Sequence, residues 1–202
     1  MILSKLDVAN YRGLRKVEIP MSRFGCLIGE NNAGKSSTLQ ALSLLRSAAT
    51  LTRANLFDDS QEIRIALTLA AITDNDLSRL AEEHRSRVGA VLRDGSITLV
   101  RVYGTDGKSK LKYVAMIPKE DRFAPANIDA LVKGKKPSKQ FATEVNKAFP
   151  ELSDKVTAST NQGEVRVAIQ SVADSLPDVQ KQVADMTLPT GIDESVVALL
   201  PE

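Results

Sequence analysis

The residues of this chain whose types and spacing could do chemistry are Gly29-Glu30-Asn31-Asn32-Ala33-Gly34-Lys35-Ser36. They satisfy the pattern G-x-x-x-x-G-K-[ST], in which a glycine-rich turn lets consecutive backbone N–H groups surround phosphate oxygens. At average composition the pattern arises by chance in under about 1% of chains of this length. Gly29 and Gly34 permit unusual φ values and close approach of main chain to ligand. Lys35 reaches the β- and γ-phosphates as a point charge, and Ser36 offers a hydroxyl to Mg²⁺. Asn31, Ala33 and Ser37 complete the loop and first helical turn whose backbone N–H groups face the same anion. The bland alternative is a glycine-rich turn that merely caps a helix.

A loop of this kind works only when a strand delivers it and a helix leaves it. Phe24 to Ile28 is a short apolar run that suits a strand buried on both faces. From Lys35 onward Leu39, Leu42 and Leu45 recur with Ala41 and Ala48 beside them, the apolar stripe of a helix packed on a sheet. Ahead of the loop, 2–9 and 15–20 read as strands of an antiparallel hairpin around Tyr11-Arg12-Gly13-Leu14. Beyond it, Ile63 to Leu69 alternates as a half-buried strand. Thr73-x-x-Asp76 resembles a capping box opening one helix through Leu77, Leu80, Val88 and Leu92, with Gly95 as its stop. Ile97 to Tyr103 and Leu111 to Ile117 flank Asp106-Gly107, a dipeptide that favours a type I′ turn. From Ala126 on, Pro137, Pro150, Pro177 and Pro189 break the pattern into several short helices.

Composition narrows the function classes. The 202 residues hold 43% hydrophobic and 26% charged residues, near the average for globular proteins, which disfavours disorder, collagen-like repeats and coiled coil. Aromatics are 4%, with no Trp, which disfavours a protein that stacks single-stranded bases. Cys26 is the one cysteine and forms no intramolecular disulfide; no secretory leader or membrane span is indicated, so a cytoplasmic location is expected. Cys26 reads as a small buried residue of its strand, and His84 as a packed or boundary residue of the Leu77–Leu92 helix. Net charge is +2, yet 101–150 carries 11 basic and 5 acidic groups whereas 151–202 carries 3 and 9. Lys108, Lys110 and Lys112, with Lys133, Lys135, Lys136 and Lys139, could meet phosphates or simply be solvated.

Guanine specificity has no support, because the one Asn-Lys pair, Asn146-Lys147, is followed by Ala148-Phe149. A small kinase usually begins with the phosphate-loop strand, whereas two antiparallel strands come first here. LDVANYRGLRKVEIP followed by CLIGENNAGKSSTLQAL instead resembles the N-terminus of RecF, SMC and ABC-type ATPase heads, and most of all the overcoming-lysogenisation-defect (OLD) family of ATP-dependent endonucleases. The resemblance continues through LFDDSQEIRIALTLAAITDNDL and covers about the first 120 residues. It implies that Arg12, in the N-Y/F-R turn, approaches the nucleotide and that Asn32 lines the phosphates. It also implies a homodimer or larger assembly of heads, DNA as a partner, a Walker B acidic pair, a signature serine-glycine motif and a Toprim nuclease region with a D-x-D metal motif.

The last three are not found in the sequence. Ser195-Val-Val-Ala-Leu-Leu-Pro-Glu202 resembles a Walker B end but lacks the first acid, and reads as a simple apolar helix. Asp74-Asn75-Asp76 spells D-x-D, yet the capping box explains both acids as helix N-terminal charges. The expectation is therefore an α/β P-loop NTPase fold of the ABC/SMC/RecF type, with a mixed sheet, an antiparallel subsheet over about 61–117 and a helical C-terminal part. Its ATPase lobe would span 1–122, and 123–202 would be a helical segment of the same head. The expected function is binding of ATP and Mg²⁺ by an OLD-like ATPase head, with no catalytic residue assigned. The alternatives are a nucleotide-dependent interaction module that does not hydrolyse, a truncated ATPase, or a small-molecule kinase.

Overall fold

The computed structural model describes residues 1–188, 196–197 and 199–200, apart from the side chains of Glu83, Arg87 and Ala90. The chain forms two compact units, Met1–Ala115 with Asp185–Glu202, and Met116–Ala184. In the first, β1 (Ile2–Tyr11) and β2 (Leu14–Pro20) make the expected hairpin, with Leu6 opposite Ile19 and Tyr11 opposite Leu14. β3 (Ile63–Ala70), β4 (Ile97–Tyr103) and β5 (Ser109–Pro118) follow. With β6 (Lys181–Thr187) they complete one sheet in the order β2-β1-β3-β4-β5-β6. The registers from β1 to β5 are antiparallel and set Leu6, Leu67 and Leu99 in one cross-strand row.

Alternation decides which face is buried. Leu6, Val8, Ile65, Leu67, Leu69, Leu99 and Tyr103 point to one side and are almost wholly excluded from water. Helix α1 (Lys35–Arg46) lays Thr38, Ala41, Leu44 and Leu45 on that side, against β1, β3 and β4. Each fully buried aliphatic side chain contributes about 1.5–3 kcal/mol before chain entropy is charged against it. Polar groups in this layer are satisfied: the Arg101 Nε donates to the Leu45 carbonyl at 3.0 Å, and the Tyr103 hydroxyl lies 3.2 Å from the carbonyls of Leu44 and Ser47. These bonds tie the C-terminal turn of α1 to β4.

Thr73 caps as expected, but the single helix anticipated after it is two: α2 (Asp74–Leu77) and α3 (Glu82–Val91). Arg85 explains the break, since its guanidinium takes the carbonyls of Ser78 and Leu80 that a continuing helix would bond internally. The type I′ turn at Asp106-Gly107 is also replaced. Only Gly107 takes positive φ, 77°, while the Asp106 carboxylate accepts the Lys108 N–H at 3.1 Å. Gly104 N–H donates to Lys108 at 2.9 Å and closes a three-residue loop with glycine in the left-handed position.

The second unit contains α4 (Pro125–Val132), α5 (Lys139–Ala148) and α6 (Gln162–Ser175), the short helices expected from the proline spacing. Ser138 accepts the Phe141 N–H at 3.1 Å, and Asn161 with Glu164 makes a reciprocal cap, so each start is locally encoded. Phe141, Val145, Phe149, Leu152, Val165 and Ile169 form its own core. Strand β6 is absent from the sequence-based expectation, because Lys181-Gln182-Val183-Ala184-Asp185-Met186-Thr187 has no clean period-two pattern and no fully buried residue.

Candidate functional site

The phosphate-loop residues converge at the N-terminus of α1. Gly34 occupies the N-cap in the left-handed region, φ 89°, and the preceding Asn32 is there too, φ 68°. No side chain caps α1 and no acid stands in its first turn, so its leading N–H groups and positive dipole end are left for an anion. The Lys35 ammonium bends back into the loop, donating to the carbonyls of Gly29 at 2.5 Å and Glu30 at 2.7 Å. Ala33 N–H closes the turn onto the Glu30 carbonyl at 3.2 Å. Asn31, Asn32, Ala33 and Ser36 are exposed and Ser37 half-buried, which leaves the loop open to solvent.

The hairpin turn stands beside it. A Cβ on Gly34 would lie 2.7 Å from Leu14 Cδ2, so β2 packs directly on the exit of the loop. In the two-residue turn it is Arg12, φ 51°, that adopts the left-handed conformation. Its guanidinium hydrogen-bonds the Gln40 side chain on α1 and lies 5.5 Å from the Tyr11 ring. Gln40 follows Lys35 by five residues, about 7.5 Å along the helix axis. Arg12 thus contacts α1 at mid-helix, about one and a half turns in from the loop.

Sequence reading missed Asn10. It is 4% exposed, has φ 59°, and uses its whole side-chain amide: Nδ2 donates to the carbonyls of Asp58 at 3.0 Å and Gln61 at 2.8 Å, and Oδ1 accepts the Asp58 N–H at 2.7 Å. Phe57 N–H donates to the Asn10 carbonyl and Arg12 N–H to that of Asn55. The Asp58 carboxylate is held below its ordinary value, chiefly by the Ser60 hydroxyl and then the Ser60 N–H. The signal available was a polar residue interrupting the inward-facing series Leu6, Val8.

Other expected residues do not join this site. Phe24 to Ile28 forms no strand: Phe24 and Ile28 are 91% exposed, and Cys26 is exposed rather than buried. A strand buried on both faces needs a neighbour on each side, and none of the described strands pairs with this segment. Asp74 and Asp76 belong to the start of α2. The Asp76 carboxylate accepts the Thr73 N–H at 2.9 Å and the Met1 ammonium at 3.0 Å, which lower its pKa to about 2. Among the described residues no group of three or more His, Cys, Asp or Glu could hold a metal ion. His84 is half-buried on α3. Of the terminal run Ser195–Glu202, Val196, Leu199 and Leu200 are buried in the first unit's core, whereas Ser195, Ala198, Pro201 and Glu202 lie outside the described residues.

The lysines fall in both units. Lys108 and Lys110 are exposed and Lys112 half-buried on β5 and the turn before it; Lys133, Lys136 and Lys139 are exposed around the start of α5, and Lys135 pairs with Glu144. Among the described residues no helix is long and apolar enough to cross a membrane.

Residues 1–178 match the family model for the AAA ATPase domain. The chain is similar to the Old nuclease of Escherichia phage P2, 27% identical over 99 residues, 49% of this chain and 17% of that protein. It is 29% identical over 119 residues to the DNA replication and repair protein RecF of Pseudomonas fluorescens, 58% of this chain and 31% of that one. It also matches the uncharacterized protein YbjD of Escherichia coli, 43% identical over 47 residues, 23% of this chain and 8% of that one. The chain thus spans less than a third of each of these relatives. A solved structure from work on ATP-driven dimerization and DNA-stimulated activation of SMC ATPases aligns with TM-score 0.41 and 20% identity, over 56% of this chain and 68% of that one.

Proposed function

The chain belongs to the AAA ATPase domain family, and on that premise we propose that the loop Gly29 to Ser37 holds the triphosphate of ATP, with Arg12 reaching it from the neighbouring turn. The observation that carries this is the Lys35 ammonium held at the centre of a loop that runs into an uncapped helix N-terminus. Its two loop carbonyls stand where the chain has no anion to offer, and β- and γ-phosphate oxygens are stronger partners for the same three donors. Backbone N–H groups of Asn31, Asn32, Ala33, Gly34, Lys35, Ser36 and Ser37 would take the remaining phosphate oxygens. Mg²⁺, when bound, would neutralise charge on the phosphates, and the exposed Ser36 hydroxyl is the group of this loop that fits it.

Arg12 would place a second cation along α1 from Lys35, spreading positive charge over the triphosphate. In line with the nuclease and DNA-repair relatives, the domain is proposed to act as the ATPase head of a DNA-directed enzyme in the cytoplasm, working as a dimer or larger assembly of heads. Lys108, Lys110, Lys112, Lys133 and Lys136 are its proposed DNA-backbone contacts; Lys135 is already engaged by Glu144. Neutralising several phosphates releases counterions, so DNA affinity should fall steeply between about 50 and 200 mM salt. A flat response removes the DNA proposal.

The central test is calorimetric titration of Mg-ATP into the chain and into Lys35→Ala. Loss of charge-assisted hydrogen bonds should weaken binding about 10- to 100-fold. Equal affinity in the two proteins overturns the nucleotide reading. Phosphate release by the same samples reports whether the chain turns ATP over.

A further inference from the structure

We infer that Asn10 is the positioning residue of the site: it locks the Asn10–Gly13 turn to the segment 55–61 and so holds Arg12 against Gln40 of α1. The inference rests on the nucleotide reading above for the role of Arg12, and on the clamp's own geometry for Asn10.

Asn10 and Arg12 both sit in the left-handed region, at φ 59° and 51°, on either side of the buried Tyr11. Neither is glycine, and backbone of this kind persists only where its surroundings over-determine it. Those surroundings are five hydrogen bonds to one segment: three to the Asn10 side chain, from 2.7 to 3.0 Å, one to the Asn10 carbonyl and one from the Arg12 N–H. Tyr11 also bridges Leu56 in antiparallel fashion. The segment therefore acts as a short extra strand along the turn, and the Asn10 amide pins its far end at Asp58 and Gln61.

Among neutral side chains this job needs both a donor pair and an acceptor at one short-chain position. Asn offers these, and it tolerates positive φ better than other non-glycine residues. Asp would keep the acceptor for the Asp58 N–H but turn two donations into contacts between a carboxylate and carbonyl oxygens. Gly would keep the φ and lose all three side-chain bonds. With the clamp open, Arg12 has no reason to stay in a left-handed turn, and its guanidinium leaves Gln40.

The test uses Asn10→Gly, Asn10→Asp, Arg12→Ala and the double variant Asn10→Gly/Arg12→Ala in the full chain. Amide hydrogen exchange reads the clamp without nucleotide: the N–H groups of Arg12 and Asp58 should lose protection in Asn10→Gly while those of β3 keep theirs. Unchanged protection overturns the clamp. Mg-ATP titration reads the positioning role: Asn10→Gly should weaken binding about tenfold, as Arg12→Ala does, and the double variant should be no weaker than Arg12→Ala alone. Parental affinity in Asn10→Gly, or losses that add, overturns the role, as does loss of stability without loss of affinity. If Lys35→Ala also binds as the parent does, the nucleotide reading is what fails, and the positioning role falls with it while the exchange result still decides the clamp.

Discussion

Gly34→Ala tests how the phosphate loop is seated. Two costs add at this position. The residue has φ 89°, and an L side chain in the left-handed region costs about 1–2 kcal/mol. The new Cβ would stand 2.7 Å from Leu14 Cδ2, far inside the roughly 3.5–4.0 Å of a relaxed carbon contact. Leu14 is 5% exposed and hemmed in, so its methyl yields only in part, and overpacking of this sort costs about 1–3 kcal/mol. Together they predict a loss of about 2–5 kcal/mol, or about 4–20 °C in Tm for a chain of this size. The three tyrosines, Tyr11, Tyr103 and Tyr113, all lie in the first unit and there is no Trp, so tyrosine fluorescence in a urea titration follows that unit alone. Leu14→Ala separates the two costs: in the double variant the clash is gone and the φ strain remains, so the losses should fall short of additive by about 1–3 kcal/mol. Gly29→Ala is the control, with its Cβ 3.2 Å from Ala33 Cβ and no positive φ, and should cost clearly less. An unchanged Tm for Gly34→Ala, or strictly additive losses with Leu14→Ala, would refute the packing of β2 against the loop.

Three further outcomes are expected. Asp76 has a folded-state pKa of about 2 against an ordinary 3.8, chiefly because of the Thr73 N–H, so its ionised form stabilises the fold fully above about pH 4 and progressively less as pH falls toward 2. Stability curves of the parent and Asp76→Asn should converge across that window, and parallel curves would show that the cap does not carry the shift. Cys26, exposed ahead of the loop, should react with a thiol reagent as fast in native buffer as in denaturant, whereas a strongly protected thiol would mean that the segment is a buried strand after all. Arg122 lies 4.8 Å from the Phe123 ring centroid and 5.3 Å from that of Phe149 while its guanidinium bonds Glu120 and Glu151. Arg122→Ala should destabilise the second unit by about 1–2 kcal/mol in far-ultraviolet dichroism, and a change near zero would reduce the arrangement to surface decoration.

What could be read from the sequence was what short range determines. The loop pattern, the β1–β2 hairpin, α1 and β3 to β5 all appear within a few residues of where periodicity puts them, because burial of one face or one stripe leaves a pattern that no neighbour can disguise. The Thr73 and Asn161 caps are local in the same sense. The misses depend on distant partners. Phe24 to Ile28 has the composition of a doubly buried strand, yet composition cannot supply neighbours. Strand β6 has a weak pattern, and its Asp185 carboxylate is fixed by Arg64, 121 residues earlier, at 2.7 Å. Asn10 looked like part of a turn motif, and its meaning lies 48 and 51 residues away at Asp58 and Gln61.

The loop is held unevenly. Its exit is anchored: Thr38 is buried and its N–H and hydroxyl both bond the Gly34 carbonyl, at 2.9 and 3.1 Å, while Ala41, Leu44 and Leu45 fix α1 to the sheet. The incoming segment is held more lightly among the described contacts: the Met21 N–H donates to the Ser4 carbonyl at 2.9 Å, but Ser22 bonds Phe24 within its own turn and Phe24 and Ile28 face water. Orientation of the N–H groups proposed to meet phosphate must then come from α1, from Leu14 against Gly34 and from the Asn10 clamp behind Arg12. Changes on the buried face of α1 should consequently reach nucleotide affinity through helix position, whereas polar replacement of Phe24 or Ile28 in this chain removes no packing and leaves the cradle as it is. The proposed nucleotide loop is thus positioned from the antiparallel side of the fold.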